Sequence, residues 1–381
     1  MSLAAHWGLD PSVTYLNHGS YGACPTAVLA VQSALRTEME RELVDFMNGS
    51  LPARLNVARQ ALAQFVGADP RDLAFVTNAT MGVNAVLRSL PFSPQDELLV
   101  TTHTYNACRR TVDYVAQRTG VRIVVAALPF PCPDEEALVG PILEKVSPRT
   151  RLALIDHITS PTALVLPLER LVRELEVRGV DTLVDGAHAP GQVSVALSQL
   201  GAAYYTGNAH KWMCAPKGAA FLHVRRDRQA DLHPTVISHG FDAGFHAEFD
   251  WTGTCDPTAW LCIPEAIRFM SALLPGGWPA IMAANHALAM QARALLCDTL
   301  GVEPAAPESM TGSMATVTLP QFAAGSMASR LDADGLHDWF RKRGVEVWFH
   351  PHPLPIFRIS AQLYNAPEQY QRLATLLREI A

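Results

Sequence analysis

The sequence of 381 residues contains little lysine: only four of its 30 basic residues are lysine, and the rest are arginine. Charged residues make up 17% of the chain, and the formal net charge is −6. This charge balance fits neither a basic nucleic-acid surface nor a polybasic membrane surface. Because 49% of the residues are apolar, the composition predicts a well-packed globular protein and argues against a disordered chain.

Long hydrophobic runs and paired cysteines are also absent. The longest apolar stretch, residues 121–131, is far too short to span a bilayer, and the N-terminal residues lack the pattern of a signal peptide. The seven cysteines are scattered and form no C-x-x-C pair, which argues against a disulfide framework or a structural zinc site. We therefore expect a cytoplasmic protein with no metal site, no nucleic-acid partner and no membrane partner.

Helical and strand patterns alternate between about residues 60 and 225. Short apolar runs at 73–77, 97–102, 122–128, 151–158, 181–186, 202–207 and 219–224 are typical of buried strands. Such alternation predicts an α/β fold with a mostly parallel sheet flanked by helices. We expect a large domain over residues 16–258, a smaller α+β domain over 259–381, and an N-terminal segment, 1–15, that packs near the small domain.

Polar residues follow several of the predicted strands, at the edge where open parallel sheets bind their ligands. These groups are Asn78-Ala79-Thr80, His103-Thr104-Tyr105, Thr159-Ser160, Asp185 to His188, and Asn208 to Lys211. The carboxyl ends of parallel strands meet at one edge of a sheet, so we expect these side chains to form a single site.

Lys211 and Asp185 have complementary uses if one aromatic cofactor lies between them. A lysine amine can bond covalently to an aldehyde, and a carboxylate on a neighbouring strand can keep a pyridine nitrogen protonated. Together these are what a protein contributes to the chemistry of pyridoxal 5′-phosphate (PLP). Residues 78–80, at the start of a predicted helix, offer backbone N–H groups and the Thr80 hydroxyl as N-cap beside a phosphate.

Each of these residues also has a purely structural explanation. Asp185 can cap the turn at Gly186, Thr80 can cap its helix without a phosphate, and His210 can be a buried histidine with a backbone partner. The combination favours the cofactor, because a strand ending in Asp185 is followed 26 residues later by His210-Lys211. No G-x-G-x-x-G follows the first strand, which argues against a nucleotide-binding Rossmann protein.

Eight segments resemble, in order, those of a known family. They are "YLNHGSYGACP" (15–25), "FVTNATMGVNAVL" (75–87), "TTHTYNA" (101–107), "DHITSPTALVLPL" (156–168), "LVDGAHAPGQ" (183–192), "GNAHKWMCAPKGAAFL" (208–222), "TGTCDPTAWL" (252–261) and "FRISAQLYN" (357–365). The chain resembles fold-type I PLP-dependent enzymes of the class V aminotransferase family, and within it the isopenicillin N epimerase-like branch.

The resemblance implies a cofactor role for several residues. Lys211 corresponds to the lysine that bonds the aldehyde, and Asp185 to the partner of the ring nitrogen. The other implied contacts are His188 at the ring hydroxyl, Ala79, Thr80, Asn208 and His210 at the phosphate, Ser160 where many relatives have Asn, His103 or its rival Tyr105 on the ring face, and Thr254 at the phosphate of the neighbouring subunit. This last contact implies a homodimer with shared active sites.

Arg358 corresponds, by the same resemblance, to the arginine that binds the carboxylate of an amino-acid substrate. It lies inside the apolar stretch "PIFRIS", where an unpaired arginine is costly, so an anionic partner is expected. A salt bridge within the small domain is the structural alternative. Asn17 and His18, in the first matching segment, are expected near the substrate.

Three outcomes are open once Lys211 has removed the α-proton of an amino acid. They are epimerisation, which the resemblance favours, β-elimination as in a hercynylcysteine sulfoxide lyase-like C–S lyase, and transamination. An epimerase needs a second acid, for which Tyr105, His103 or a residue near Asn17-His18 is available. A catalytically silent relative is the non-enzyme alternative. Residues 344–360 contain no cysteine, from which we expect no persulfide-type cysteine desulfurase activity.

Overall fold

Helices and strands alternate through most of the structure, a computed structural model that describes residues 3–323, 326–351 and 354–380. The helices are α1 (His18–Tyr21), α2 (Thr26–Arg41), α3 (Leu51–Val66), α4 (Ala79–Ser89), α5 (Asn106–Thr119), α6 (Glu136–Glu144), α7 (Leu168–Val177), α8 (Leu197–Leu200), α9 (Phe245–Phe249), α10 (Thr258–Leu261), α11 (Ile263–Ser271), α12 (Gly277–Leu300), α13 (Ala333–Arg341) and α14 (Pro367–Ile380). The strands are β1 (Thr14–Tyr15), β2 (Leu73–Val76), β3 (Glu97–Thr101), β4 (Arg122–Ala126), β5 (Thr150–Asp156), β6 (Asp181–Asp185), β7 (Tyr204–Asn208), β8 (Ala220–Val224), β9 (Met314–Thr318), β10 (Val345–Glu346), β11 (Trp348–His350) and β12 (Ile356–Ser360). None of the helices in these residues has both the length and the apolar character needed to cross a membrane.

Seven strands form the large sheet, in the order β2-β8-β7-β6-β5-β3-β4. The five strands from β7 to β4 are parallel to one another, and β8 runs antiparallel to both of its neighbours. The central strands are rich in Leu, Ile and Val and are almost wholly buried, as a sheet covered on both faces requires. The predicted α/β class with a mostly parallel sheet is confirmed.

A smaller unit contains the antiparallel sheet β11-β12-β9, against which α12 and α13 pack. Its hydrophobic cluster includes Phe340, Phe357 and Leu373. Strand β1 pairs in parallel with β10, with Tyr15 opposite Glu346, and thereby attaches the N-terminal segment to this unit. The predicted smaller α+β unit is confirmed.

The limits of the two domains stay a prediction. Helices α10 and α11 follow the predicted boundary at residue 258, yet Trp260 and Ile263 belong to the same hydrophobic cluster as Leu62 of α3. The chain therefore returns to the core of the large sheet before it enters the smaller unit.

Helix α4 begins at Ala79, two residues earlier than the sequence pattern indicated. Asn78 is its N-cap, with extended backbone angles and a side-chain oxygen that accepts from the N–H of Met81 at 2.8 Å. The expectation that Thr80 caps this helix is therefore wrong, because Thr80 already lies within the first turn. Asn is as good an N-cap as Thr, so the sequence offered two candidates two positions apart.

Strand β5 ends two residues earlier than expected, at Asp156. Asp156 lies opposite Asp185 in the parallel register between β5 and β6. Paired positions on neighbouring strands present their side chains to the same face of the sheet. The early end of β5 therefore places a second aspartate beside Asp185.

Candidate active site

The carboxyl edge of the large sheet opens into a cavity of about 290 Å³. Most of the residues expected from the sequence line it, namely Ala79, Thr80, Tyr105, Ser160, Asp185, His188, Asn208, His210 and Lys211. They come from the ends of β5, β6 and β7 and from the first turns of α4 and α5. The strand-end rule thus brings residues from 79 to 211 into one wall.

Five expected site residues are not part of the lining of this cavity, namely His103, Thr254, Asn17, His18 and Arg358. His103 is buried behind it with Nδ1 2.7 Å from the hydroxyl of Thr162. Thr254 lies on the exposed surface. The His18 ring nitrogens lie 2.8 Å from the Tyr364 hydroxyl and 3.1 Å from the Lys211 carbonyl oxygen, and Asn17 hydrogen-bonds Glu346.

Lys211 lies in the turn after β7, with Nζ 3.2 Å from Nε2 of His188. Burial, reinforced by the positive charge of Arg358, lowers the pKa of Lys211 to about 8. Burial also lowers the pKa of His188 well below its usual value, and the Lys211 charge adds to this shift. A neutral imidazole next to a lysine that loses its proton near pH 8 is an arrangement suited to proton transfer.

Both carboxylate oxygens of Asp185 accept hydrogen bonds. The backbone N–H of Ala187 donates to Oδ1 at 3.0 Å, and the thiol of Cys108 donates to Oδ2 at 3.1 Å. Burial raises the pKa of Cys108 well above its usual value, with a further contribution from Asp185, so the thiol keeps the proton that it donates. Asp185 is thereby fixed at the floor of the cavity.

Asp156 is a cavity residue that the sequence reasoning missed. It is 2% exposed, it lines the cavity, and its Oδ2 has no hydrogen-bond partner among the described residues. Burial and the neighbouring Asp185 raise the pKa of Asp156 well above its usual value. The signal was present, because the apolar runs "LALID" and "TLVD" both end in aspartate.

The first turn of α4 forms another part of the cavity lining. The backbone N–H of Ala79 donates to Oδ1 of Asn208 at 2.8 Å, which ties this turn to the end of β7. The positive end of the helix dipole favours an anion here. His210 has Nδ1 2.9 Å from the Ala219 carbonyl oxygen, and burial lowers the pKa of His210 to about 4. His210 thus has the backbone partner that the structural explanation required and also lines the cavity.

Arg358 is a buried cation with no carboxylate partner among the described residues. It lies in β12, 2% exposed and with its guanidinium carbon 4.8 Å from the centre of the Trp348 ring. Nη1 donates to the carbonyl oxygen of Ser160, Nη2 donates to the Ser20 hydroxyl at 3.2 Å, and Nε has no partner in this part of the chain. Burial lowers the pKa of Arg358 to about 10. A salt bridge inside the smaller unit, the structural alternative, is not what holds this residue.

The donor set of the cavity fits PLP. The α4 turn suits its phosphate, Asp185 suits its ring nitrogen, and Lys211 suits its aldehyde. Nδ1 of His188 and Oδ2 of Asp156 are buried polar atoms that have no hydrogen-bond partner among the described residues. No group of three or more His, Cys, Asp or Glu side chains that could hold a metal ion occurs in the described ranges.

The fold and the cavity define a PLP-dependent enzyme of fold type I. The family model of the class V aminotransferases ("Aminotransferase class-V") matches residues 26–373, and the chain belongs to this family. It is 36% identical to an isopenicillin N epimerase of Streptomyces clavuligerus, over 97% of this chain and 95% of that protein. It is 30% identical to an L-cysteine desulfhydrase of Arabidopsis thaliana, over 97% of this chain and 88% of that protein. The resemblance found in the eight sequence segments is confirmed.

Solved structures share the fold at low sequence identity. A C-DES mutant with glycine covalently linked to its PLP cofactor superposes with a TM-score of 0.83, at 20% identity and over 97% of both chains. The Escherichia coli cysteine desulfurase CsdA superposes with a TM-score of 0.78, at 19% identity, over 99% of this chain and 97% of that one. Likeness at this level shows the fold alone.

The exclusion of cysteine desulfurase-type activity is wrong. A relative named as an L-cysteine desulfhydrase, 30% identical over nearly the whole chain, overturns it. The exclusion rested on the missing cysteine in residues 344–360. The bond between the β-carbon and sulfur of an amino acid can break once the α-proton has left. That step needs no cysteine in residues 344–360. The homodimer and the cytoplasmic location stay predictions.

Proposed function

We propose that this enzyme removes the α-proton of an amino acid whose carboxylate is bound by Arg358, and that it returns a proton to the opposite face as an epimerase. The observation that carries the proposal is the buried Arg358, which has no carboxylate partner in the described residues and donates to Ser20 and Ser160 of the cavity wall.

Lys211 is the proposed base. When bound, PLP supplies an electron sink that stabilises negative charge at the α-carbon. The pKa of Lys211, lowered to about 8, lets the amine give up its proton near neutral pH and then accept one from the substrate. His188, with Nε2 3.2 Å from Nζ, holds the amine in place. Asp185 is the proposed partner of the ring nitrogen, fixed by Ala187 and Cys108.

Tyr105 is the proposed acid for the second face. Of the three candidates taken from the sequence, His103 is buried behind the wall and His18 is held by Tyr364 and the backbone of Lys211. Tyr105 lines the cavity from the start of α5, and burial raises its pKa, so the phenol keeps its proton. A protonated phenol on a different element from Lys211 is what two-sided proton transfer needs.

The experiment is incubation with a panel of L-amino acids in deuterated water, followed by NMR. Epimerisation gives the D-isomer with deuterium at the α-carbon. Tyr105→Phe should still exchange the α-proton but lose inversion by roughly 10²-fold or more. Tyr114→Phe, on the same helix and equally exposed, is the matched control and should behave as the parent.

β-Elimination is the second candidate, because the desulfhydrase relative covers nearly the whole chain. Formation of a keto acid, ammonia and sulfide from L-cysteine, with no inverted isomer and no effect of Tyr105→Phe, would replace the epimerase proposal by this one. A keto acid formed without sulfide, at the expense of the cofactor's aldehyde form, would indicate transamination.

A homodimer with shared sites is proposed as well. Thr254 is exposed and lies outside its own cavity, which fits a contact to a neighbouring subunit. Large exposed apolar side chains, Tyr21 beside the cavity and Val236, Ile237 and Phe241 before α9, fit a covered interface. Sedimentation should give twice the chain mass, and Thr254→Ala should weaken PLP binding in a dimer. A monomer with full PLP affinity would contradict the proposal.

A further inference from the structure

A chain of hydrogen bonds runs from Arg358 to a carboxylate of the smaller unit. Nη2 of Arg358 donates to the Ser20 hydroxyl at 3.2 Å, and that hydroxyl donates to Oδ1 of Asn17 at 2.6 Å. The side-chain amide of Asn17 donates to Oε1 of Glu346 at 3.1 Å. Each group accepts from one neighbour and donates to the next, so the chain has one direction from the cation to the anion.

The same direction at every step has an electrostatic consequence. Hydrogen bonds in series polarise one another, so the negative charge of Glu346 strengthens the contact between Ser20 and Arg358. The cation is thus linked to an anion through two neutral side chains. A carboxylate in direct contact would occupy the donors of the guanidinium fork, which a substrate carboxylate also needs. The relayed link instead occupies one Nη2 donor with the neutral Ser20 hydroxyl, and Nε keeps no partner among the described residues.

The far end of the chain is held by the smaller unit. Glu346 lies in β10, and Nε2 of His337 on α13 lies 3.1 and 3.2 Å from its two carboxylate oxygens. Helix α1, which carries Ser20, is tied to the strand of Arg358, because the N–H of Gly19 donates to the hydroxyl of Ser360 at 3.0 Å. Both ends of the chain are therefore attached to the same unit, and its length is fixed.

We propose that Glu346, acting through Asn17 and Ser20, positions the Arg358 fork for the carboxylate of the amino-acid substrate. This inference rests on the proposed role of Arg358. Glu346 and Asn17 are positioning residues. Asn17, expected from the sequence to touch the substrate, acts instead through Ser20. A merely structural Glu346 would hold β10 and α13 together and would have no preference among ligands.

The experiment compares two ligands of the PLP-loaded enzyme, L-alanine and ethylamine. Ethylamine is alanine without its carboxylate, and its α-carbon is therefore no longer a stereocentre. Their dissociation constants are read from the change in the visible cofactor spectrum. Glu346→Gln should weaken L-alanine roughly three- to tenfold and leave ethylamine unchanged. Glu308→Gln is the matched control, because Glu308 forms a similar pair with His286 at the surface, and it should change neither constant. Equal effects on both ligands, or no effect, overturn the proposal.

A double-mutant cycle separates the chain from independent contacts. Ser20→Ala cuts the chain in the middle and leaves the Glu346–His337 pair in place. If Ser20 and Glu346 act through one path, their effects should not add. The double variant Ser20→Ala, Glu346→Gln should then have a dissociation constant for L-alanine no larger than that of the single variant with the larger constant. If the fold-losses in L-alanine affinity of the two single variants multiply in the double variant, the proposal is overturned. Ser20→Ala alone also serves if Glu346→Gln fails to fold, since an unchanged preference for L-alanine in that variant is equally decisive against it.

Arg358→Lys distinguishes this inference from the proposed function. If Arg358→Lys weakens L-alanine and ethylamine equally, the role of Arg358 itself is wrong. If Arg358→Lys weakens L-alanine alone while Glu346→Gln changes nothing, only the positioning by Glu346 is wrong.

Discussion

The cavity has two walls that are built in different ways. One wall consists of strand ends and helix starts of the large sheet, with Lys211, Asp185 and Asp156 close together. The other contains Ser20, which accepts a hydrogen bond from the buried Arg358, 338 positions later in the sequence and outside the lining itself. The first wall holds a lysine and two aspartates, whereas the second adjoins a cation that has no carboxylate partner among the described residues. This difference is the reason why we propose a cofactor role for the first wall, named the cofactor wall, and a role in binding the anionic end of a substrate for the second, named the substrate wall.

Loss of the amine from the cofactor wall should have the largest effect. Lys211→Ala removes both the proposed covalent contact and the proposed base, so turnover should fall by at least about 10⁴-fold. The visible absorbance of the PLP-loaded protein should change at the same time. A variant that kept the parent spectrum and turnover would show that another residue bonds the cofactor.

The cofactor wall was largely predictable, because strand ends are visible in the sequence. Apolar runs followed by "DG" and "NAHK" fixed the places of Asp185 and Lys211, and a parallel sheet brings such places together. Asp156 was missed because the apolar run was extended through Ile158. The exact residue at which a strand ends depends on backbone hydrogen bonds to its neighbours, and the pattern of apolar residues does not report these bonds.

The charge of Lys211 should also affect the stability of the cofactor-free protein. The pKa of Lys211 is about 8, below its usual value of 10.5, so folding opposes the charged form. This cost is fully present below pH 8 and disappears as the pH rises from 8 to 10.5. Lys211→Met should therefore raise the free energy of unfolding at pH 7 by about 2 kcal/mol. This is less than the full shift in pKa implies, because the side chain of Lys211 is only partly buried and solvent screens its charge.

Urea unfolding at pH 7 and pH 10 measures this effect. The gain from Lys211→Met should shrink by more than half at pH 10, since the parent lysine is then nearly uncharged in the folded state. A gain of equal size at both pH values would mean that it comes from packing of the methionine and that the lysine is not destabilised by burial.

A change in the substrate wall should affect binding more than chemistry. Arg358→Lys keeps the charge but loses the planar fork, so KM for the amino acid should rise roughly 10- to 100-fold while kcat changes little. Steady-state kinetics with the active amino acid from the NMR panel measures both. Arg341→Lys, at an exposed ion pair with Asp338, is the control. A fall in kcat as large as the rise in KM would contradict this expectation and would assign Arg358 to the chemical step.

The partners in the substrate wall could not be predicted from the sequence. Arg358 itself stands out as a cation inside an apolar strand. Its hydrogen bonds to Ser20 and Ser160 depend on how distant segments pack, and no local pattern encodes such contacts. Asn17 and His18 were predicted to bind the substrate; their segment contributes Ser20 to the cavity lining, whereas their own side chains hydrogen-bond Glu346 and Tyr364. The sequence motif identifies the segment, whereas the direction of each side chain depends on how distant segments pack.

The smallest effect is expected at the second lysine of the cofactor-wall segment. Lys217 lies six positions after Lys211, is exposed, and stands just before β8 and outside the lining of the cavity. Lys217→Ala should change turnover by less than about twofold and leave the visible spectrum as it is, since surface substitutions of this kind seldom matter. The two lysine variants, measured side by side, test whether the cofactor wall ends where the cavity ends. A large loss in Lys217→Ala would extend that wall beyond the strand ends and break the comparison.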